Sequence, residues 1–197
     1  MNLVERAKRI LLFPRTEWQV IDAEPTSAAQ LYTTYVMPLA AIGPISQLIG
    51  YSVFGITVPF MGTYRVPFGS ALATAFVSYI LALAATYVLA LIIDGLAPTF
   101  NAQRSQIQAL KVSAYSSTAS WVAGIFLLIP GVRVLTILGL YSLYLLYLGL
   151  PILMKSPREK TAAYTGLVAV AAIVLFLLVG LLAGRFLTVP TAAITVP

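Results

Sequence analysis

The chain has 197 residues, of which 60% are hydrophobic and only 9% are charged, with a formal net charge of +6. Soluble domains carry charges on about 25% of their residues, so this composition excludes a soluble globular protein. The sequence contains no cysteine and no histidine, which excludes disulfides, thiolate chemistry, histidine-based catalysis and the usual zinc ligands. We therefore expect an all-α integral membrane protein that uses no metal and no other cofactor.

Residues 1–26 are predicted to form a cytoplasmic amphipathic segment. The run LVERAKRILL at 3–12 places most of its apolar residues on one helical face and its charged residues on the other. Short basic amphipathic helices bind the surface of anionic leaflets. Docking against the protein's own cytoplasmic side is the other interpretation, and both can hold. The predicted lipid contacts are Arg6, Lys8 and Arg9.

Two capping signals follow this helix. Thr16 with Gln19 matches the capping box that opens a second short helix. Trp18, inside that helix, is expected to anchor the chain at the membrane interface. A second capping box, Ser27 with Gln30, precedes the first long apolar run.

Five apolar stretches of about 20 residues predict five membrane-spanning helices. They lie within a transmembrane domain of residues 27–187, and a short external tail is expected at 188–197. The hydrocarbon core offers no partners to backbone polar groups, so each span is expected to be helical. The predicted spans are 31–50, 70–93, 109–129, 134–154 and 161–184.

The first span is irregular because Pro38, Gly43 and Pro44 lie inside it. A proline within a helix removes one backbone hydrogen bond and bends the axis. A kinked span is the simpler interpretation, and a broken or re-entrant helix is the alternative.

The third and fourth spans are joined only by the residues 130–133, which makes them antiparallel neighbours. Counting outward from this turn places Ser116 level with Tyr147, and Ser120 level with Leu143, one residue from Tyr144. Both tyrosines are therefore predicted to point into the bundle, with at least one of them hydrogen-bonded to the serine-bearing helix. Serines at helical spacing let helices approach and bond to one another. We interpret the resulting polar stripe as interhelical packing, with a path for a solute as the alternative. Its candidate residues are Ser113, Ser116, Ser120, Tyr144 and Tyr147.

The fifth span ends with Gly180 and Gly184. This spacing of glycines permits close contact between membrane helices. We expect self-association or contacts with other membrane proteins there.

The distribution of basic residues predicts the orientation of the spans. Of the 12 lysines and arginines, all but three fall on the side that holds the N-terminus. Basic residues collect on the cytoplasmic side of membrane proteins. We therefore predict a multi-pass protein of the cell's inner membrane, with its N-terminus cytoplasmic and its C-terminus outside. The basic residues on the outer side are Arg65, Arg133 and Arg185.

No set of residues forms a recognisable active site. None of the 6 carboxylates lies deep within a predicted span, which excludes facing aspartates in the membrane and the mid-depth charges of coupled transporters. Lys111 precedes several serines, but a lysine at the membrane interface normally extends into water. We therefore predict no enzymatic activity. We also expect no nucleic-acid partner, since the basic residues follow the membrane topology.

A set of motifs extends over most of the chain, and the tyrosine-rich hairpin is its most specific part. The motifs are AYSST at 114–118 with Trp121, LLIPG at 127–131, GLY at 139–141 and LLYLGLP at 145–151, preceded by Trp18, Ile21, Glu24, Tyr35, Pro38 and Leu39. From about residue 14 to 182 the chain resembles bacterial members of the Yip family, the Ypt-interacting proteins of the Yip/Yif group. The resemblance implies five spans, a cytoplasmic N-terminus and an external C-terminus.

The family supplies a fold more than a function. Eukaryotic relatives act in vesicle trafficking and bind Rab-type GTPases, and they carry an Asp-Leu-Tyr-Gly-Pro motif at the first span. This chain reads LYTTY at 31–35 in that region. We expect a non-enzymatic membrane scaffold or organiser that works through helix packing and through lipid or protein partners. The alternative is an uncoupled channel or carrier for a small or lipid-like solute.

Overall fold

The computed structural model describes residues 2–58 and 62–186, so the predicted tail at 188–197 lies outside the described residues. The described chain is almost entirely helical, with one short antiparallel hairpin of strands β1 (Ile56–Val58) and β2 (Gly62–Tyr64). Segments of 3₁₀ helix cover Ala97–Phe100, Gly124–Leu128 and Pro130–Leu140. The main helices are α1 (Leu3–Leu12), α2 (Pro14–Ala23), α3 (the helical run Ala28–Phe54), α4 (Phe68–Leu96), α5 (Gln106–Ser116), α6 (Thr118–Ala123), α7 (Tyr141–Leu153) and α8 (Arg158–Gly184).

Helices α1 and α2 form a pair joined at Phe13. Asn2 caps α1, because its side-chain oxygen accepts a hydrogen bond from the Glu5 N–H at 2.8 Å. Helix α2 starts with Pro14, whose missing N–H would have had no intrahelical partner at this position. The predicted start at Thr16 is therefore wrong, and the Thr16 hydroxyl donates to the Phe13 carbonyl instead.

Helix α3 is bent but continuous through its first proline. Ser27 accepts a hydrogen bond from the Gln30 N–H at 3.1 Å, which confirms the predicted cap. Two π-helical turns, Tyr32–Val36 and Gly50–Phe54, widen the coil on either side of Pro38. This backbone favours a kinked span over a re-entrant segment.

Two tyrosine hydroxyls fix α3 antiparallel to α4. Tyr32 donates to the Leu83 carbonyl at 2.9 Å, and Tyr79 donates to the Met37 carbonyl at 3.3 Å. Hydroxyls inside a membrane have no water to bond to, so carbonyls on a neighbouring helix satisfy them.

The bundle packs around α4 and α5. Helix α4 contacts α5 and α8, and α5 also contacts α7. The largest fully buried side chains lie where these helices meet α1 and α2, so the best-packed core lies at one end of the bundle. Among these side chains are Trp18, Tyr164, Ile10, Ile21, Leu31, Ile93, Leu110, Leu145, Leu150 and Met154.

Ion pairs hold the loops together at this end. Arg104 lies 3.2 Å from Asp94, which ties the loop after α4 back to that helix. Lys155, in the loop after α7, pairs with Asp22 of α2. The N-terminal helices and these two loops therefore share one end of the molecule.

Hydrogen bonds to backbone carbonyls connect segments at the opposite end. Arg133 donates to the Gly55 carbonyl at 3.1 Å, beside the strand hairpin. Ser70, at the start of α4, donates to the Phe186 carbonyl at 2.7 Å. The end of α8 therefore lies beside the beginning of α4.

Several helices of the described chain are suited to a membrane. Four of them are long and apolar enough to cross one. The segment 106–128, predicted as the third span, is divided into α5, α6 and a 3₁₀ segment and is not one of the four. A helical membrane protein is thus confirmed, whereas the count of five spans is not. The four are Ala28–Phe54, Phe68–Phe100, Pro130–Leu153 and Arg158–Gly184.

Helix α3 and the 3₁₀ segment after α6 meet at two glycines. The helix is interrupted at Ala41, directly before Ile42 and the predicted kink residues Gly43 and Pro44. A Cβ atom on Gly124 would lie 2.7 Å from the Gly43 Cα atom. The crossing therefore requires a residue without a side chain at position 124.

We expect Gly124→Ala to lower the free energy of unfolding by about 1–3 kcal/mol, because its methyl group would meet backbone that cannot move aside as a side chain can. Thermal unfolding in detergent, followed by circular dichroism, measures the change. Gly180→Ala is the matched control, since nothing lies within 4 Å of a Cβ atom there. Equal stability of the two variants would contradict the close crossing.

Candidate functional site

A charged cluster joins α1 to α2. Arg6 Nη1 lies 2.6 Å from Glu17 Oε1, and Arg9 Nε lies 2.7 Å from Glu17 Oε2. Arg6 Nη2 also pairs with Glu24, which follows α2. The chain reverses at Phe13, so the basic residues of the first helix face the acidic residues of the second.

The cluster is buried on one side and open on the other. The side chain of Glu17 is 0% exposed and that of Arg6 is 8% exposed, whereas those of Arg9 and Glu24 are 44% and 46% exposed. A carboxylate is stable in a buried position only if charged partners replace its water shell, and Glu17 has two arginines. Removing Glu17 would leave the buried Arg6 with the half-exposed Glu24 as its remaining carboxylate partner.

The prediction that Arg6 contacts lipid at the membrane surface is wrong, because its guanidinium group is buried against Glu17. Helix α1 is rotated so that Arg6 faces inward and apolar Val4 is 74% exposed. Lys8 is exposed, and Arg9 is half-exposed and ion-paired. Helix α1 is therefore docked on the protein itself, which is one of the two predicted arrangements.

Lys111 ties α5 to the end of α2. Its Nζ donates to the carbonyls of Ile21 at 2.9 Å and of Glu24 at 2.7 Å. Carbonyls at a helix C-terminus lack intrahelical partners and carry partial negative charge, so an ammonium group stabilises them. The residue is only 4% exposed, so the expectation that it extends into water is wrong.

Aromatic rings line the inner side of the cluster. Trp18 and Tyr115 meet edge to face with ring centroids 6.3 Å apart, and Tyr115 lies 4.5 Å from Tyr35. The Tyr35 hydroxyl bonds to Thr118 at 2.8 Å, and the Arg6 guanidinium carbon lies 5.9 Å from the centroid of the Tyr115 ring. Each such aromatic pair stabilises a fold by about 0.5–1.5 kcal/mol beyond the area it buries.

Trp18 packs against α7 at Gly149. A Cβ atom on this glycine would lie 2.7 Å from the indole ring. Trp18 is 0% exposed, so the prediction that it anchors the chain at the membrane interface is wrong. The glycine in the LLYLGLP motif leaves the space that the indole occupies.

A polar cavity of about 220 Å³ lies between the starts of α1 and α3, the end of α2 and the second half of α5. Arg6, Lys111 and Tyr115 form its buried wall. Gln30 and Thr34 are exposed residues of its rim. The cavity therefore presents two buried cationic side chains to any molecule that enters it.

The serines of the predicted stripe bond to different partners. Ser113 donates to the Thr86 carbonyl of α4 at 2.7 Å, and Ser116 donates to the Ser113 carbonyl of its own helix at 3.3 Å. Ser120 lies 2.9 Å from the Ser142 hydroxyl, one residue away from the partner level that counting from the turn predicts. The hydroxyls of Ser113 and Ser120 thus bridge neighbouring helices.

The prediction that Tyr144 and Tyr147 point into the bundle is wrong. They are 41% and 46% exposed, and within the described chain neither hydroxyl bonds to the serine-bearing helices. Counting from the turn matches depth, but it does not fix the rotation of the helix. The segment Pro130–Leu140 is 3₁₀ helix, whose three residues per turn shift every later side chain relative to an α-helical count.

Sequence reasoning missed the pairing of Arg6 and Arg9 with Glu17. A signal was present, because Arg6 and Arg9 lie on the helix before Pro14 and Glu17 lies on the helix after it. Two short helices joined by a tight connection lie antiparallel, which brings such residues together. The burial of Lys111 and Trp18 had no comparable signal, since both depend on helices far along the chain.

The Yip1 domain model matches residues 8–181, which include Glu17, Lys111, Tyr115 and Gly149. The chain belongs to the Yip1 domain family. The resemblance predicted from the sequence is thereby confirmed, and the motif residues Trp18, Tyr115 and Gly149 lie at the contacts that hold the N-terminal helices on the bundle.

Two curated relatives extend over most of the chain. The inner membrane protein YohC of Escherichia coli strain K12 is 27% identical over 173 residues, which are 85% of this chain and 89% of that protein. The inner membrane protein YohC of Escherichia coli O6:H1 strain CFT073 gives the same values. No solved structure gives a significant match.

We expect Glu17→Ala to destabilise the protein by about 3–5 kcal/mol, because the buried Arg6 would keep only the half-exposed Glu24 as a carboxylate partner and Arg9 would lose its own. The double variant Glu17→Leu with Arg6→Met should recover much of this loss, since both charges leave together. Thermal unfolding in detergent measures all the variants. Glu5→Ala, at an exposed acid of α1, should change the stability by less than about 0.5 kcal/mol. If Glu17→Ala proves as mild as this control, the buried pair does not stabilise the site.

Proposed function

We propose that the protein is a non-enzymatic scaffold of the inner membrane, with five membrane-spanning helices, a cytoplasmic N-terminus and an external C-terminus. It organises the membrane through contacts with lipid and protein partners rather than through catalysis or transport. The chain then consists of a cytoplasmic segment at residues 1–26, a transmembrane domain at 27–187 and an external tail at 188–197.

The hydrogen bonds made by the serines of the polar stripe favour helix packing over transport. Ser113, Ser116 and Ser120 each donate to a backbone carbonyl within the described bundle, so their hydroxyls already stabilise the packed state. A solute path along the stripe would require Pro38, Ser116 and Tyr147 to face one common space. Ser116 is buried, whereas Pro38 and Tyr147 lie on the exposed surface.

The course of the segment 106–128 supports a fifth span. It begins beside α2, where Gln108 Nε2 lies 3.2 Å from the Asp22 carboxylate. It reaches the glycine crossing with α3 at Gly124, toward the opposite end of the bundle. The segment therefore extends between the same two ends as the four long apolar helices. The end that carries α1 and the loops after α4 and α7 holds most of the basic residues, which supports its assignment to the cytoplasm.

Reporter fusions test this topology. A reporter at the N-terminus and one inserted in the loop 155–160 should report the cytoplasm, because both positions lie at the basic end. A reporter at the C-terminus should report the external side. A cytoplasmic signal from the C-terminal fusion would contradict an odd number of spans.

Two surfaces are available to partners. Lys8, Arg15 and Arg158 are exposed and form no ion pair within the described chain. Such a basic surface attracts anionic lipid or an acidic protein segment. On α8, Gly180 and Gly184 are exposed, and a Cβ atom added to either glycine would meet no neighbouring segment within 4 Å. This leaves room for a helix of a second copy or of another membrane protein.

The relatives support the location. Both are named as inner membrane proteins, and each shares 27% identity over 85% of this chain. A location in the inner membrane is what the proposal requires of this chain.

Site-specific photocrosslinking in intact membranes tests the scaffold function. A photoreactive amino acid at position 158 should give defined protein adducts, because Arg158 lies on the proposed partner surface. Position 65 is the matched control, since Arg65 is an exposed arginine in the loop before α4, away from both proposed partner surfaces. Arg15→Glu should reduce the adducts at position 158 at least several-fold without lowering the amount of protein.

Two results would count against the scaffold. Identical adducts at positions 158 and 65 would show no partner surface at the basic end. Passage of solute through vesicles that contain the purified protein, above the rate of empty vesicles, would favour the channel or carrier.

A further inference from the structure

We infer that the polar cavity between α1, α3 and α5 is a binding site for a phosphate-bearing anion, held by Arg6 and Lys111. The chemistry is that of a phospholipid headgroup or of a free phosphate group. The inference is independent of the scaffold function, because it rests on the walls of the cavity alone.

Lys111 supplies a buried ammonium group without a carboxylate of its own. It is 4% exposed and donates to two neutral carbonyls. A lysine ammonium has three donors, and no carboxylate of the described chain forms an ion pair with this one. A buried cation normally has an anionic partner. The Lys111 side chain lines the cavity, so an anion in the cavity can be that partner.

Arg6 supplies a planar donor group with one exchangeable partner. Its Nη1 is bound to Glu17, which is fully buried, and its Nη2 is bound to Glu24, whose side chain is 46% exposed. Glu24 also lines the cavity. A phosphate oxygen entering the cavity can replace the Glu24 carboxylate on Nη2, because guanidinium groups bind phosphate and carboxylate with the same geometry.

The charge balance of the walls favours an anion. Among the residues that line the cavity, Arg6 and Lys111 carry two positive charges and Glu24 carries one negative charge, which leaves one positive charge. The nearby Asp22 does not change this net charge, since its carboxylate is paired with Lys155. A singly charged phosphodiester would neutralise the site.

The rim of the cavity fits a headgroup that arrives from the membrane surface. Gln30 and Thr34 are exposed polar residues on one side of α3, and they can bond to phosphate or glycerol oxygens. Leu3 and Leu31 add apolar surface to the same cavity. A volume of about 220 Å³ accommodates a phosphate group together with part of its ester substituent.

Binding to the full-length protein in a non-ionic detergent tests the inference. The probes are dihexanoyl-phosphatidylglycerol, dihexanoyl-phosphatidylcholine and inorganic phosphate, each titrated while the Tm is recorded. The anionic lipid should raise the Tm in a saturable manner, and the zwitterionic lipid should not. A comparable rise with inorganic phosphate would assign the cavity to the free anion rather than the headgroup, and the anion site would stand in either case.

Variants locate the effect in the cavity. Lys111→Met should weaken binding of the effective probe roughly tenfold, the change that corresponds to one charge-assisted hydrogen bond. Lys8→Met is the matched control, since it removes the same charge from an exposed position of α1. Thr34→Trp keeps both cations and fills the rim from an exposed position, so it should weaken binding even if Lys111→Met fails to fold.

Three outcomes would overturn the inference. In the first, neither anion stabilises the protein. In the second, phosphatidylcholine stabilises it as strongly as phosphatidylglycerol does. In the third, Lys8→Met weakens binding as much as Thr34→Trp, which would place the anion on the exposed basic surface.

Discussion

The buried carboxylate of Glu17 is the constraint on which the end of the structure that holds the N-terminal helices depends. It binds Arg6 at 2.6 Å and Arg9 at 2.7 Å, and it has no exposed surface of its own. Because a buried charge needs its partners, α1 and α2 are held as one antiparallel unit. This unit presents Trp18 to Gly149 of α7 and the carbonyls at the end of α2 to Lys111. The N-terminal helices are therefore part of the bundle and not a tether beside it.

This arrangement changes what the basic residues of the N-terminus do. Arg6 is a buried structural cation that also lines a cavity, whereas Lys8 lies on the surface of the same helix. A net charge counted along the sequence treats the two alike, although only the exposed residue is free to attract a membrane or an acidic partner. The electrostatic surface of the protein is consequently smaller than its composition indicates, and it is concentrated near Lys8, Arg15 and Arg158.

Much of the architecture could be predicted from the sequence, and the failures share one cause. Hydrophobic length predicted the four helices that can cross a membrane, Ser27 predicted a helix cap, and Pro130 predicted the turn between two spans. Each of these features depends on neighbouring residues only. The rotation of a helix depends on residues far away. In a membrane, apolar side chains are stable both against lipid and against protein, so their spacing along a helix does not show which side faces the bundle. The sequence around Tyr144 and Tyr147 therefore did not reveal that these two residues point outward. Trp18 and Lys111 of the candidate site were misplaced for the same reason, because their partners lie on other helices.

The long separation of these partners in the chain bears on how the protein is made. Lys111 bonds to a carbonyl 90 residues before it, and Lys155 binds an aspartate 133 residues before it. The N-terminal helices leave the ribosome first, but the residues that bury Glu17 and Trp18 are inserted only with the third and fourth apolar segments. Contacts between distant segments form late because the intervening chain must first be ordered. Helices α1 and α2 are thus synthesised well before the segments on which they dock, so their packing has to follow the arrival of those segments.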